Sequence, residues 1–193
     1  MGKKSCMVIG GIGAAALLFV IILVGIVWSS HNRLVRLDEA VNAAWAQVET
    51  SLQRRYDLIP NLVNTVKGFA KQEETVLTEV ARLRSQWSEA RGIPEKAQAA
   101  TQLEGALGRL MVVVEKYPEL KSNQNFMALQ DELAGTENRV AVERRRFNES
   151  VQQYNTAVRR FPGSVVASIF GFERRDRYFK SDEGAATAPK VEF

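Results

Sequence analysis

Apolar residues fall into five long blocks and one short C-terminal run, and the first block differs in kind from the other four. Val8 to Trp28 is apolar almost throughout, and no charged side chain occurs between Met7 and Ser30. About 20 such residues, rising about 1.5 Å each, cross the core of a bilayer. The segment is too long for a signal-peptide core, and no small-x-small cleavage site follows it. It is therefore predicted as an uncleaved transmembrane helix over residues 8–28, behind a short tail of residues 1–7. Trp28 closes the block, where an indole keeps its ring in the interface and its N–H in water.

The later blocks carry the three-four spacing of amphipathic helices, and no sustained period-two run appears. Leu34, Leu37, Val41, Trp45, Val48, Leu52 and Tyr56 form the first stripe. The second is Leu62, Val66, Phe69, Val76, Val80, Leu83 and Trp87, interrupted by Glu73. Ala100, Leu103, Leu107, Leu110, Val114 and Tyr117 make the third. Phe126, Leu129, Leu133, Val140, Phe147, Val151, Tyr154, Val158 and Phe161 make the fourth.

Breakers separate the stripes. At Asp57-Leu58-Ile59-Pro60 the aspartate can cap a new helix with Pro60 in its first turn, or the proline can kink a continuous one. Gly92 with Pro94 separates the second and third stripes, and Pro118 ends the third. Ser122 or Asn123 can cap the fourth, and Pro162-Gly163 closes it. The expected fold is all-α: a transmembrane helix, then an antiparallel up-down bundle of about four long helices over residues 31–161. In a strict up-down order the Asp57–Pro60 and Tyr117–Pro118 turns meet at the end far from the membrane.

Residues 162–180 add an apolar run, Val165 to Phe172, and then Arg174, Arg175 and Arg177. Two placements are open for it, flat in the membrane interface or folded back over the base of the bundle. In the first, Trp28, Phe170, Phe172, Arg174, Arg175 and Arg177 contact the membrane surface. Residues 181–193 are expected to be disordered.

Charge sharpens this picture only locally. Between Arg139 and Lys180 ten Arg and Lys face four acids, a surplus of six that favours anionic surfaces. Across the span, Lys3 and Lys4 balance Arg33 and Arg36, and the free amino terminus tips the tie toward a cytoplasmic N-terminus with the bundle outside. Cys6 is alone and His31 is the single histidine, so neither an intramolecular disulfide nor a zinc or di-iron ligand set can be assembled. Gly11-Ile12-Gly13-Ala14-Ala15-Ala16 matches the dinucleotide fingerprint in letters, but it lies inside the predicted span rather than after a strand. With no tuned nucleophile or phosphate loop, no enzyme activity, cofactor, metal, small-molecule substrate or nucleic acid is expected. Small residues in the span (Gly10, Gly11, Ala14, Ala15) are compatible with a homo-oligomer.

The polar residues that interrupt the stripes are the candidate site. Arg54, Arg55, Tyr56, Asp57, Pro60 and Asn61 lie at the first break, Glu73 on the second stripe, Tyr117 and Pro118 at the third turn, and Glu137 and Asn138 on the fourth. They suit either a buried polar network that sets register or a surface for a protein partner.

Longer strings point to a known family. Asp38-Glu39-Ala40-Val41-Asn42-Ala43-Ala44-Trp45, Arg54 to Val63, Tyr117-Pro118-Glu119-Leu120-Lys121, Thr136-Glu137-Asn138-Arg139, Tyr154-Asn155, Phe161-Pro162 and Phe170-Gly171-Phe172 resemble the LemA family of bacterial membrane proteins. Phe69 and Phe147 stand where members often carry Tyr. The resemblance implies a short N-terminal tail, one membrane helix and a helical-bundle domain, located in the bacterial inner membrane. It supplies no reaction.

Overall fold

The computed structural model describes residues 2–70 and 72–175. Arg177 and the whole 181–193 tail lie outside the described residues. Within them every regular element is helical: α1 Gly2–Asp57, α2 Ile59–Phe69, α3 Glu74–Glu89, α4 Gly92–Val114, α5 Pro118–Lys121, α6 Gln124–Arg159 and α7 Gly163–Phe170. The fold is all-α, as the periodicity predicts. The stretch of α1 from Ala15 is long and apolar enough to cross a membrane, with a mean hydropathy of 1.9. Its side chains from Leu17 to Val24 are exposed, as lipid-facing residues of a span must be.

Helical contacts divide the described chain into two compact bodies, residues 43–148 and residues 1–42 with 149–176. In the first, the end of α1 with α2, then α3, α4 and the first part of α6 alternate in direction. Lys96 at the start of α4 pairs with Glu49, and Arg109 farther along it reaches Glu79 on α3 at 2.9 Å. Trp45 meets Phe147, their rings 5.6 Å apart, while Arg55 pairs with Glu137, so α6 runs opposite to α1. Val48, Leu52, Leu62, Val80, Leu103, Leu110, Leu120 and Phe126 are buried between them, each on its predicted stripe except Leu120 in α5.

The chain does not reverse at Pro60. Leu58 stays in the right-handed helical region (φ −79°, ψ −20°), and Leu62 N–H bonds to its carbonyl at 3.0 Å. The interruption is thus a single residue, and the reversal comes at Ala70–Glu73, whose first and last residues leave helical geometry. A proline in the first turn of a helix loses a donor that would have had little to do there. The acceptor it abandons is the Tyr56 carbonyl four residues back. Arg84 Nε supplies the missing donor at 3.0 Å, so the break is repaired by a side chain of α3. The meeting of two turns expected from Pro60 is replaced by a different one: α5 packs on both α2 and α4, beside the Ala70–Glu73 reversal. At α6 the capping choice resolves to Asn123, whose Oδ1 accepts from Asn125 N–H at 3.0 Å and Phe126 N–H at 3.2 Å.

In the second body, α7 folds back. Val166 and Ala167 bury against Leu34 and Ala157, flanked by Val27, Leu37, Val158 and Phe172. Gly163 makes this approach feasible, because a Cβ there would lie 2.2 Å from the Ala157 carbonyl oxygen. Gly171 ends α7 in the left-handed region at φ 75°, and Phe172 N–H closes the terminus on the Ala167 carbonyl at 3.0 Å. Because the obstacle at Gly163 is backbone and cannot rotate away, Gly163→Ala is expected to destabilise α7 packing by about 2 kcal/mol. Hydrogen exchange of α7 in the detergent-solubilised full chain checks this, and unchanged protection would contradict it.

Candidate functional site

Within residues 43–148 the structure joins some of the predicted polar residues and leaves others apart. Arg55, its side chain largely enclosed, pairs with Glu137. Tyr56 is fully buried, with its ring edge-on to Trp87 at 4.8 Å and 80°. Asp57 accepts from Gln53 Nε2 at 2.7 Å and faces Arg84 at 3.7 Å. Arg54, Pro60, Asn61, Pro118 and Asn138 are exposed. Glu73 is half-buried beside the reversal and precedes α3 without a side-chain cap, and Tyr117 precedes α5 in the same way.

Four further residues belong to the same layer, although the stripes were read without them. Arg144 grips Glu104 through both guanidinium arms, at 2.5 and 3.3 Å. Lys96 pairs with Glu49 and lies 5.0 Å from the centre of the Trp87 ring, a cation–π contact. A signal for Arg144 exists in the sequence: it stands four residues after Val140 and three before Phe147, on the apolar stripe itself.

Arg55, Arg144 and Lys96 pair one to one with Glu137, Glu104 and Glu49 in this layer, which suits internal pairing. Burial pulls the Arg55 guanidinium below the usual arginine value, with the charge of Glu104 acting the other way. Burial raises the Tyr56 phenol above its ordinary value, and the charge of Glu104 adds to it. Tyr56 Oη has no hydrogen-bond partner among the described residues. The neutral phenol is the form that folds. Its contribution is complete below the ordinary tyrosine value of about 10 and is lost as pH rises toward the higher folded-state value. Tyr56→Phe, which removes an unsatisfied hydroxyl, is expected to change stability by less than about 1 kcal/mol at pH 8. Its advantage over the natural chain then grows as pH rises past about 10. Melting of both chains in detergent at pH 8 and 10.5 checks this, and parallel pH curves would contradict it.

The second body holds the remaining candidates. Phe170 is exposed but touches the His31 ring at 4.6 Å, and Phe172 approaches the same ring at 5.5 Å. Arg175 is turned inward, its Nη2 2.8 Å from Asp38 Oδ1. Its backbone is held from both sides by Asn155, which donates to Arg175 O at 2.7 Å and accepts from Arg175 N–H at 2.9 Å. Tyr154 Oη donates to Glu173 O at 2.9 Å. Asn155, 5% exposed, is the buried polar residue among those described. Arg174 is exposed, as is Trp28, at 70%. Phe161, the last residue of the fourth stripe, is 78% exposed rather than core.

Among the described residues no group of His, Cys, Asp and Glu is arranged to hold a metal ion. The arrangement is that of an all-α bundle protein with one apolar helix fit to be integral to a membrane. The LemA family model matches residues 44–193, and the chain belongs to the LemA family. It is similar to the magnetosome protein MamQ of Magnetospirillum gryphiswaldense, 27% identical over 80% of this chain and 66% of that protein. It thus spans just under two thirds of that relative. Magnetosome protein MamQ 2 of Paramagnetospirillum magneticum is 25% identical over 88% of this chain and 72% of its own length. Protein LemA of Metamycoplasma hominis is 21% identical over 78% and 71%.

Proposed function

We propose that this chain is a membrane-anchored, non-catalytic interaction module of the bacterial envelope, whose bundle holds a protein partner. The observation that carries this reading is what the end of the 43–148 bundle around α5 leaves uncovered. Phe69 at the end of α2, Val112 near the end of α4 and Met127 in the first turn of α6 are all exposed there. They surround the Ala70–Glu73 and Tyr117–Asn123 turns, where Pro118 is also exposed. Arg55, Tyr56 and Glu137 then serve the bundle from within, and Phe69, Val112 and Met127 join Asn61 and Pro118 as the contact residues. Photo-crosslinking side chains placed at Phe69, Val112 and Met127 of the full chain in its native cells test this. A discrete partner band at these positions, missing from a control at Gln98, is expected. Equal labelling at Gln98 would sink the proposal.

The module sits in the inner membrane with its N-terminus in the cytoplasm and the bundle outside. Cys6→Ser with Gln98→Cys reads this directly. Labelling of intact cells by an impermeant maleimide is expected, and protection until lysis would place the bundle in the cytoplasm. On the same reading, α7 grazes the bilayer: Val166 and Ala167 bury one face, and Val165, Ile169 and Phe170 leave the other apolar and exposed. Trp28 and Arg174 complete this contact, while Phe172 and Arg175 hold the segment in place.

A further inference from the structure

We infer that the groove between α1 and the end of α6 is a binding site for the headgroup of an anionic phospholipid. The groove is a cavity of about 730 Å³ that opens to the surface. Arg33, Arg160, Ser30, Gln152 and Gln153 line it together with Phe161, over a floor that includes Leu34 and Leu37. No carboxylate is among its lining residues. Arg33 and Arg160 are both exposed, and neither has an ion pair among the described residues, whereas Arg175 on the same body is neutralised by Asp38. Two uncompensated guanidiniums in one recess suit a phosphodiester, which takes paired N–H donors on its oxygens.

Depth selects a lipid as the source of that phosphate. Arg33 lies five residues beyond Trp28, the end of the apolar stretch, which is about 7 Å along a helix. The headgroup layer is about 5–8 Å thick on each face of a bilayer. The groove therefore stands where phosphates are concentrated. Phe161 stands exposed at its edge, an apolar surface suited to the start of the acyl chains. Each lysine or arginine near an anionic surface strengthens attraction about fivefold, so two held in one recess are expected to give roughly thirtyfold preference over a zwitterionic lipid.

The inference rests on α1 being inserted in a bilayer, and the experiment separates the two. The full chain is reconstituted in phosphatidylcholine nanodiscs to establish insertion. It is then titrated in detergent with equimolar dioleoyl phosphatidylglycerol and phosphatidylcholine, and the retained lipid is read by native mass spectrometry. About thirtyfold preference for phosphatidylglycerol is expected, falling to about one in the Arg33→Gln, Arg160→Gln chain. The Arg36→Gln, Arg159→Gln chain loses the same charge from nearby positions outside the groove, and its preference should stay within about twofold of the natural value. Equal losses in both chains would mean diffuse surface charge and overturn the site, as would no preference in the natural chain. Displacement of the lipid by millimolar glycerol 3-phosphate would identify a soluble phosphate ester instead and overturn the lipid assignment. A chain that fails to enter nanodiscs indicts the anchor, not the groove.

Discussion

Trp87→Ala is expected to destabilise the 43–148 bundle by about 4 kcal/mol, the largest effect of any single substitution considered for this chain. Trp87 is buried, so truncation loses its transfer free energy and leaves a cavity the long helices can close only in part. Two contacts enlarge the loss. The edge-on Tyr56 ring at 4.8 Å contributes about 1 kcal/mol beyond its buried area. The Lys96 ammonium 5.0 Å from the Trp87 ring centre contributes a further fraction of that at a partly exposed site. Trp87 Nε1 has no hydrogen-bond partner among the described residues, so Trp87→Phe removes an unsatisfied donor along with some volume. It is expected to cost only about 1–2 kcal/mol. Urea titration of both variants in a fixed detergent, followed by far-UV circular dichroism, measures the two losses. If they came out equal, ring burial would not be what secures this layer.

The stripes were legible because long helices repeat their apolar spacing many times, and each repeat constrains the next. Leu34, Val41, Trp45, Val48, Leu52 and Tyr56 are all buried as their spacing requires. The reversal was not legible at its true position. Proline announces a break through a lost donor, but whether the break becomes a turn depends on what happens to the abandoned carbonyl. Arg84 satisfies Tyr56 O from 28 residues away, and nothing local in Asp57–Pro60 encodes that. At Ala70–Glu73 the only helix-weakening residue nearby is Gly68, a cost of about 1 kcal/mol and a faint signal. Polar interruptions of a stripe do mark the internal layer, since Arg55 and Glu137 were found that way. Glu104 and Lys96 flank their stripes rather than interrupt them, and only the packing of α4 against its neighbours turns them toward Arg144 and Glu49.

The C-terminal basic run shows why charge alone did not locate a surface. Arg174 and Arg175 are adjacent and identical in sequence terms. Beyond Gly171 residues 172–175 leave the helix without regular structure, and the two arginines end in different surroundings. Arg175 faces Asp38 and Arg174 is exposed. The cations left for an anionic surface therefore come from other places, Arg33 at the end of the span and Arg160 at the end of α6. Neither stands out in a count of charges.

Asn155→Leu is expected to release residues 172–175 and to cost about 3 kcal/mol, the second largest effect. Leucine keeps the side-chain volume but offers neither donor nor acceptor. The Arg175 carbonyl and N–H, now held at 2.7 and 2.9 Å, would each be left unsatisfied at about 1–3 kcal/mol. The segment can escape part of that penalty by moving into water, which is why release is the expected response and why the cost stays near the lower sum. Release also separates Arg175 from Asp38, at 2.8 Å, and Glu173 from the Tyr154 hydroxyl. With Asp38 no longer neutralised, a carboxylate is freed on α1 one turn from Leu34 and next to Leu37, on the body that carries the Arg33 and Arg160 groove. Hydrogen exchange should show lost protection confined to the C-terminal segment and α7, with the 43–148 bundle unchanged. Tyr154→Phe removes a single hydrogen bond from the same clasp and should show a loss of only about 1 kcal/mol. Equal exchange in the two variants would mean that Phe172 packing, rather than the asparagine, holds the segment down.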